Sequence, residues 1–506
     1  MLRALLLLLF LLPPSLLALP GASRACDLRP PSSLARTGIV CRITKPATLV
    51  LNQETTKVIQ KAFQRAEYPD INGEKNMLFL GKVEYGLTNI QISNLTIASS
   101  EVELKEDKSI TITIRNVSVI FQGTLKYGYT GAWLLKVGHA IDFEIESSID
   151  LQINTRLTCN RGKVWADTSD CYLSFHKLLL HLQGDKQPGW IKQLFTDFIS
   201  FTLKLVLKAQ VCKEINTLSN IMAEFVQDKA ADILSDGNIG VDISLTQTPD
   251  ITTGYIESHH RGLLIYKNHS GPTWDSNFRP SLLPDSRMLY FWFSDQVLNA
   301  LALAAFLDQR LVLTLAGKEF EAVMLNSRGL EEHQDTLREI LQSSSYSDAQ
   351  VEIKSVAAPE ITCQPEGTVV KSCVAVVVRL SHQNPSEAFY FEEDVTTTIQ
   401  ASYEHKKLVL HLSDSQIHLK TFRSASKLSA DDESIQDFLK VITTTVGIPL
   451  VISRIEPALT ELMDSKGLNL FEIINPEILT KEGYLLLQMD FGFPQHLLVD
   501  FFKTIM

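Results

Sequence analysis

The sequence predicts an α+β protein of two halves with the same order of elements, each half a long antiparallel sheet served by a long helix. Three observations carry this. From Ile141 to Asn154 apolar and polar residues alternate, which is a strand of unusual length with two different faces. From Ile191 to Leu234 apolar residues recur at steps of three and four. The order helix, β-meander, long helix, strand then appears a second time after about residue 287.

Arg3, the apolar stretch Leu5 to Leu12 and the small-x-small site Ser23-Arg24-Ala25 read as a cleaved secretory signal over residues 1–25. Pro13-Pro14 interrupts it well short of a spanning helix. The mature chain is expected to be soluble, secreted and extracellular. The most hydrophobic later stretch, Trp190 to Val211, carries Lys192, Asp197, Lys204 and Lys208, which are expensive in hydrocarbon.

A helix is expected over Leu49 to Ala66. In the Ile141 strand, Ile141, Phe143, Ile145, Ile149, Leu151 and Ile153 share one face, with Asp142, Glu144, Glu146, Asp150, Gln152 and Asn154 on the other. At about 3.3 Å per residue it runs roughly 46 Å, which calls for a twisted sheet with one wet side. Ile110, Ile112 and Ile114 are out of phase with Val117, Val119 and Phe121, so a bulge is expected at Asn116; the same break recurs around Asn94. The helix after Pro188-Gly189 stops at Asp236-Gly237 and, if unbroken, spans roughly 70 Å. In the second half, Met288 to Phe293 is a strand, Asp295 to Phe306 a helix, and Leu311 to about Thr421 β-rich. Ser434 to Met463 is a helix kinked or broken by Pro449 and Pro457, and a strand returns at Tyr484 to Phe493. Three prolines and a glycine make Asn268 to Pro284 a linker. Pro494-Gln495 starts a terminal helix with Leu497, Leu498, Phe501, Phe502, Ile505 and Met506 on one side, facing either the core or lipid.

The 47 basic and 58 acidic residues give −11; cleavage removes Arg3 and Arg24 and leaves −13. That balance argues against phosphate neutralisation, so no nucleic-acid partner is expected. Sequons at Asn94, Asn116 and Asn268 suit a secreted glycoprotein. Cysteines 26, 41, 159, 171, 212, 363 and 373 are too few for a disulfide scaffold. Cys171, on a strand, and Cys212, on the helical stripe, are the best candidate pair, against two buried thiols; Cys363 and Cys373 stay open. No G-x-S-x-G, H-E-x-x-H or EF-hand pattern occurs, and His259-His260 point to opposite faces of a strand, so neither metal nor cofactor is expected.

Several segments resemble one known family. They are Gly38 to Pro46 (GIVCRITKP), Cys171 to Gly184 (CYLSFHKLLLHLQG), Pro188 to Asn216, Asp285 to Ser294 (DSRMLYFWFS), Phe391 to Tyr403 (FEEDVTTTIQASY) and Ile473 to Asp500. The chain is identified as a member of the bactericidal/permeability-increasing and lipopolysaccharide-binding protein family, with the match loosest in the linker and from about Phe320 to Pro385. The resemblance implies an elongated boomerang of two barrels, each a twisted sheet wrapped on helices, joined by a central sheet. The domains are then 26–267, a linker over 268–286, a second barrel over 287–493 and the amphipathic helix 494–506. It implies a Cys171–Cys212 disulfide and no enzymatic activity. The implied role is exchange of cholesteryl esters and triglycerides between plasma lipoprotein particles by a monomer, through an apolar tunnel with phospholipids at its two openings. Lipid-contacting residues fall on Gln227, Lys229, Ser258 and His260 at one opening, with Ile149 in the wall and Leu498, Phe501 and Phe502 on a terminal gate. Lys229 stands where the family pattern has Arg and offers a point charge in place of a bidentate fork. The competing readings are a phospholipid-transfer or endotoxin-binding relative and a secreted lipid esterase.

Overall fold

The computed structural model describes residues 36–505, apart from 78–80, 131–135, 184–188, 268, 271–274, 327–332, 342–344, 346–347, 381–386, 425–431 and 462–471. The predicted signal peptide, Cys26, the sequon Asn268, part of the linker, Met463 and Met506 lie outside the described residues.

The first half opens with β1 (Ile39–Thr44) and α1 (Lys45–Arg65), a helix that carries Pro46 in its first turn, where no donor is missed. A meander follows: β2 (Ile71–Met77), β3 (Gly81–Thr96), β4 (Ser99–Leu104), β5 (Ser109–Thr130), β6 (Lys136–Asn160) and β7 (Lys163–Leu182). They form one antiparallel sheet in the order β2-β3-β5-β6-β7, with β4 beside β5. The expected two-faced strand lies within β6. Phe143, Ile145, Ile149, Leu151 and Ile153 are buried, while Asp142 and Glu144 cross-link to Thr124 and Gln122 on the wet face. The bulges fall where the alternation breaks. Asn116 sits at φ 56° in a register shift between Ile114 and Val117, and β3 shifts between Ile92 and Asn94.

The long helix α2 runs through α-helical Gly189–Leu194, a π-turn at Phe195–Ile199 and α-helical Ser200–Ile233. Leu203, Leu207, Val211, Ile215 and Leu218 bury its apolar stripe against the sheet. The Cys171–Cys212 disulfide joins β7 to this helix. Short strands β8 (Ile239–Asp242), β9 (Asp250–Ile251), β10 (Tyr255–His260), β11 (Leu263–Tyr266) and β12 (His269–Ser270) close the half.

The second half repeats the plan. β13 (Leu289–Ser294) leads to α3 (Asp295–Leu307), whose N-cap Ser294 accepts from the Gln296 amide. Then come β14 (Val312–Ala316), α4 (Gly317–Asn326), α5 (Gln334–Ile340), β15 (Ala349–Ser355), β16 (Glu360–Gln364), β17 (Gly367–Leu380), β18 (Glu387–Glu404) and β19 (Lys407–Ser424). The region from Leu311 to Thr421 is therefore not continuous β. The two helices bury Phe320, Met324, Leu337 and Ile340, a three-to-four spacing the strand reading passed over. Cys363 lies opposite Thr368 rather than Cys373, and both are free thiols.

The long helix α6 comprises Asp432–Ile442, a π-turn at Thr443–Gly447 and Ile448–Glu461. The prolines do not break it. The π-turn lies just ahead of Pro449, where the widened turn takes up the missing donor, and Pro457 stays inside the helix. Among the described residues, Glu433–Pro457 rather than Trp190 to Val211 is the helix long and apolar enough by composition to cross a membrane. Here its Ile435, Phe438, Leu439 and Val446 are buried in the C-terminal core. Last come β20 (Glu472–Lys481), β21 (Tyr484–Gly492) and α7 (Gln495–Ile505).

A central antiparallel sheet in the order β20-β21-β13-β1-β10-β9 joins the halves. Its two middle strands, β13 and β1, open the two halves, and each is flanked by strands that close its own half. The start of β1 crosses the end of β10 so closely that a Cβ on Gly38 would lie 2.6 Å from the Arg261 carbonyl, a place for glycine alone. Behind this sheet Arg42 is buried. Its Nε and Nη2 donate to Glu257 at 2.8 and 2.6 Å, Nη2 also to the Pro280 carbonyl at 2.7 Å, and Nη1 to that of Leu283 at 2.5 Å.

The Cys171–Cys212 bridge closes a separation of 41 residues, so its loss is expected to cost about 3–4 kcal/mol. Cys212→Ser should lower the secreted yield and the thermal midpoint; normal values of both would show that the bridge carries no stability.

Candidate functional site

Four polar residues singled out in the sequence lie on two elements, the C-terminal turns of α2 and the central strand β10. The β6–β7 hairpin links them. Gln227 accepts the Val164 amide at 2.7 Å through Oε1 and donates through Nε2 to the carbonyls of Ala223 and Val164 at 2.7 and 3.3 Å. Two residues before Val164, the Gly162 carbonyl accepts the Leu245 amide at 2.7 Å, and Leu245 bridges His260. Gln227 and His260 thus stand at the two ends of a short bonded path through one hairpin.

Gln227 belongs to a stripe that sequence reading missed. Asn220 takes both backbone groups of Ala166, its Oδ1 accepting at 2.8 Å and its Nδ2 donating at 2.7 Å. Asn216 accepts from the Thr168 amide at 3.0 Å and its hydroxyl at 2.9 Å. Cys212 continues the line to Cys171. Steps of four, four and seven put these side chains on one helix face, where they partner the outward backbone groups of the edge strand β7. The available signal was the spacing of the amides on a helix otherwise lined by Leu, Ile and Val.

On β10, Ser258 and His260 share a face. His260 Nδ1 donates to the Ile243 carbonyl at 2.7 Å, which leaves Nε2 to accept the Ser258 hydroxyl at 2.9 Å. Packing around the ring pushes its pKa below the ordinary histidine value, against the Ile243 bond, so it is neutral. Cys41 lies opposite Ser258, and burial pushes its thiol up to about 12, so it is no nucleophile at neutral pH. The other face of β10 holds Glu257 and His259, whose Nε2 is 2.9 Å from Glu257. Burial works to raise the Glu257 pKa, but His259 and Arg42 outweigh it and hold the carboxyl below its usual range.

The terminal helix α7 crosses from the C-terminal half onto the N-terminal core. Leu498, Phe501 and Ile505 are buried in the same apolar cluster as Ile149, with Phe502 half-buried against it. Phe501 meets Phe225 of α2 edge-on at 5.7 Å, and the Lys229 ammonium lies over the Phe225 ring, 5.7 Å from its centroid. Gln495 bonds Glu54 and Lys57 of α1 at 3.1 Å each, and Arg65 donates to the Ile505 carbonyl. Lys229 and Phe501 therefore both contact Phe225, two residues before Gln227 on the same helix. Leu497 is also buried, while Val499 is exposed.

Ile149 is fully buried between Val117 and Phe175 on the inward face of the sheet. Four residues along that face, Ile153 lines a small cleft together with Val58, Ile59, Ala62, Ile112 and Ile215. A larger apolar pocket lies in the C-terminal half among Phe320, Met324, Phe389, Phe391, Phe438 and Leu439. Asn94 and Asn116 are exposed on β3 and β5.

The N-terminal-domain model of the LBP / BPI / CETP family matches residues 48–226, and its C-terminal-domain model matches residues 234–493. The chain belongs to the LBP / BPI / CETP family. Curated relatives in this family include the cholesteryl ester transfer protein of Homo sapiens, 60% identical over 97% of this chain and 98% of the relative. That of Gallus gallus is 56% identical over 96% and 97%. The phospholipid transfer protein of Mus musculus is 22% identical over 68% of each chain. Among solved structures, a crystal structure of lipopolysaccharide binding protein has the same family fold, with a TM-score of 0.50 at 18% identity over 90% of this chain and 99% of that one.

Because the His260 ring stays neutral, its contribution to stability is present above the unfolded value of about 6.5 and is lost as pH falls below it. The thermal midpoint of wild type should therefore drop more steeply than that of His260→Gln between about pH 7.5 and 5.5. Parallel curves for the two proteins would mean that the ring is not held neutral.

Proposed function

We propose that this is a secreted lipid transfer protein of plasma, which moves cholesteryl esters and triglycerides between lipoprotein particles and makes or breaks no bond. The observation that carries the reading is the similarity along the whole chain to cholesteryl ester transfer proteins, 56% to 60% identical. The one-sided apolar sheets and the cavities beneath them support it. Exposing an eighteen-carbon acyl chain to water costs roughly 14 kcal/mol, about ten powers of ten, so unassisted transfer is negligible. A carrier needs continuous apolar walls and no nucleophile.

On this reading the cargo is neutral lipid, with phospholipid at the openings, and the protein works as a monomer. Gln227, Lys229, Ser258 and His260 supply polar contacts for a headgroup at the N-terminal opening. Gln227 does so only with what its bonds to Val164 and Ala223 leave free. Ile149 is part of the wall. The face of Leu498, Phe501 and Phe502 closes the opening and lifts at a lipid surface.

The test of function is incubation of the purified protein with donor particles carrying radiolabelled cholesteryl ester and unlabelled acceptors. Label should move as intact ester. Release of free fatty acid would point to an esterase, and transfer of phospholipid alone to the phospholipid-transferring branch.

Deleting residues 495–506 separates gate from cap. A gate predicts at least a tenfold loss of ester transfer with secretion kept and the thermal midpoint within a few degrees of wild type, a shift of about 1 kcal/mol or less. A collapsed midpoint would assign α7 to the core, and undiminished transfer would remove its role in the pathway.

A further inference from the structure

The inward face of β18 carries Phe389, Phe391, Glu393, Val395 and Thr397, all buried. A carboxyl in this row is out of place. Glu393 is only 2% exposed and lies across from Val374 on β17 and Leu419 on β19. One oxygen, Oε2, accepts the Thr443 hydroxyl at 2.7 Å; the other, Oε1, has no partner among the described residues. Thr443 opens the π-turn of α6, the kind of irregular turn that often marks a functional site. Thr443 lines the apolar pocket of the C-terminal half, and so does Phe391, two residues from Glu393 on the same face. The carboxyl is thus fixed by one oxygen to a residue that lines this apolar pocket, on the strand face that also supplies Phe391 to it.

A buried carboxyl oxygen without a partner is costly, and an apolar side chain of similar volume would fill the position without that cost. Burial pushes the carboxyl up to about 7, only partly opposed by the Thr443 bond, so near neutral pH much of it is the uncharged acid. With Oε2 accepting from Thr443, the acid proton sits on Oε1. That atom is then a hydrogen-bond donor in an otherwise apolar enclosure, and its complement is an acceptor on an otherwise apolar molecule. The N-terminal sheet carries a weaker counterpart: Ser147, on the inward face of β6, is also buried, and its hydroxyl has no partner among the described residues.

We propose that Glu393, oriented by Thr443, is a binding residue that donates a hydrogen bond to the ester carbonyl of a neutral lipid held in the C-terminal cavity. The proposal deepens the neutral-lipid reading above and rests on it. It makes the cavity selective for an ester, where apolar walls alone distinguish only size and shape.

The test compares cholesteryl oleate with cholesteryl oleyl ether, which keeps the shape and lacks the carbonyl. Both are offered together from donor particles to the full-length protein, and retained lipid is measured by mass spectrometry. Wild type should hold the ester over the ether by up to about fivefold, the worth of one hydrogen bond. Glu393→Leu should lose this preference at an equal or higher thermal midpoint, while Glu393→Gln, which keeps a donor, should retain most of it. A second measurement needs no variant: the infrared carbonyl band of ¹³C-labelled ester bound to wild type should be shifted to lower frequency than in hydrocarbon. Equal retention of ester and ether by wild type, an unshifted band, or an unchanged preference in a folded Glu393→Leu protein would each overturn the anchor. Failure of wild type to take up either lipid would overturn the neutral-lipid reading itself.

Discussion

A sheet that curls around an apolar interior without closing on itself ends on a strand whose outward N–H and C=O groups lack a ladder partner. In both halves of this protein the long helix supplies those partners. Asn216, Asn220 and Gln227 of α2 serve Thr168, Ala166 and Val164 on β7. Thr460 and Glu456 of α6 accept from the amides of Leu408 and Leu410 on β19, at 2.9 and 2.7 Å. The contacts begin at the second residue of each edge strand, so the duplication extends to the way the sheet is finished. Side-chain caps give the edge its hydrogen bonds and leave the helix a lateral cover for the interior. Closure by a further strand would fill the same space with backbone and make a barrel with no side entrance.

The halves are joined by the strands that begin them. β1 pairs with β10 of its own half and with β13 of the other, so the central sheet is continuous across the two halves. Arg42, in the middle of β1, reaches Glu257 on β10 and the carbonyls of Pro280 and Leu283 in the segment connecting the halves. One buried guanidinium therefore ties three parts of the chain. Removing either member of such a pair leaves an uncompensated charge and costs about 3–5 kcal/mol. α7 adds a second link, because it leaves β21 in the central sheet after Phe493 and Pro494 and packs against Phe225 of the first half.

Much of this was legible in the sequence wherever one period dominates. The two-faced run in β6, the bulge at Asn116, the long apolar stripe of α2 and the repeated order of elements are local patterns, and they appear as residues in register. What escaped was non-local or mixed. α4 and α5 are short, and their apolar spacing was hidden inside a region read as strand. The helix was expected to be kinked or broken at Pro449, and it continues past that residue with a π-turn just ahead of it. Gln227 was not legible as an edge cap, because the partner strand lies some sixty residues earlier. Glu393 carries no sequence signal beyond an acidic residue in the apolar phase of a strand, and only the fold shows that this phase faces inward.

The placement of α7 bears on when a carrier of this kind opens. The helix has eleven residues, too few to persist alone in water, so its order depends on docking Leu498, Phe501 and Ile505. Lifting it into water would expose those side chains and the apolar core beneath them together, each side chain forfeiting about 1.5–3 kcal/mol of burial. Lifting it onto a lipid surface exchanges one apolar environment for another, and most of that loss disappears. Val499, already exposed on the outer side of the helix, can enter such a surface before the docked face lets go. On the proposed function, the closed state is then favoured in plasma water and the open state becomes accessible at a particle. The same apolar contacts that keep the cargo dry make its release conditional on a destination.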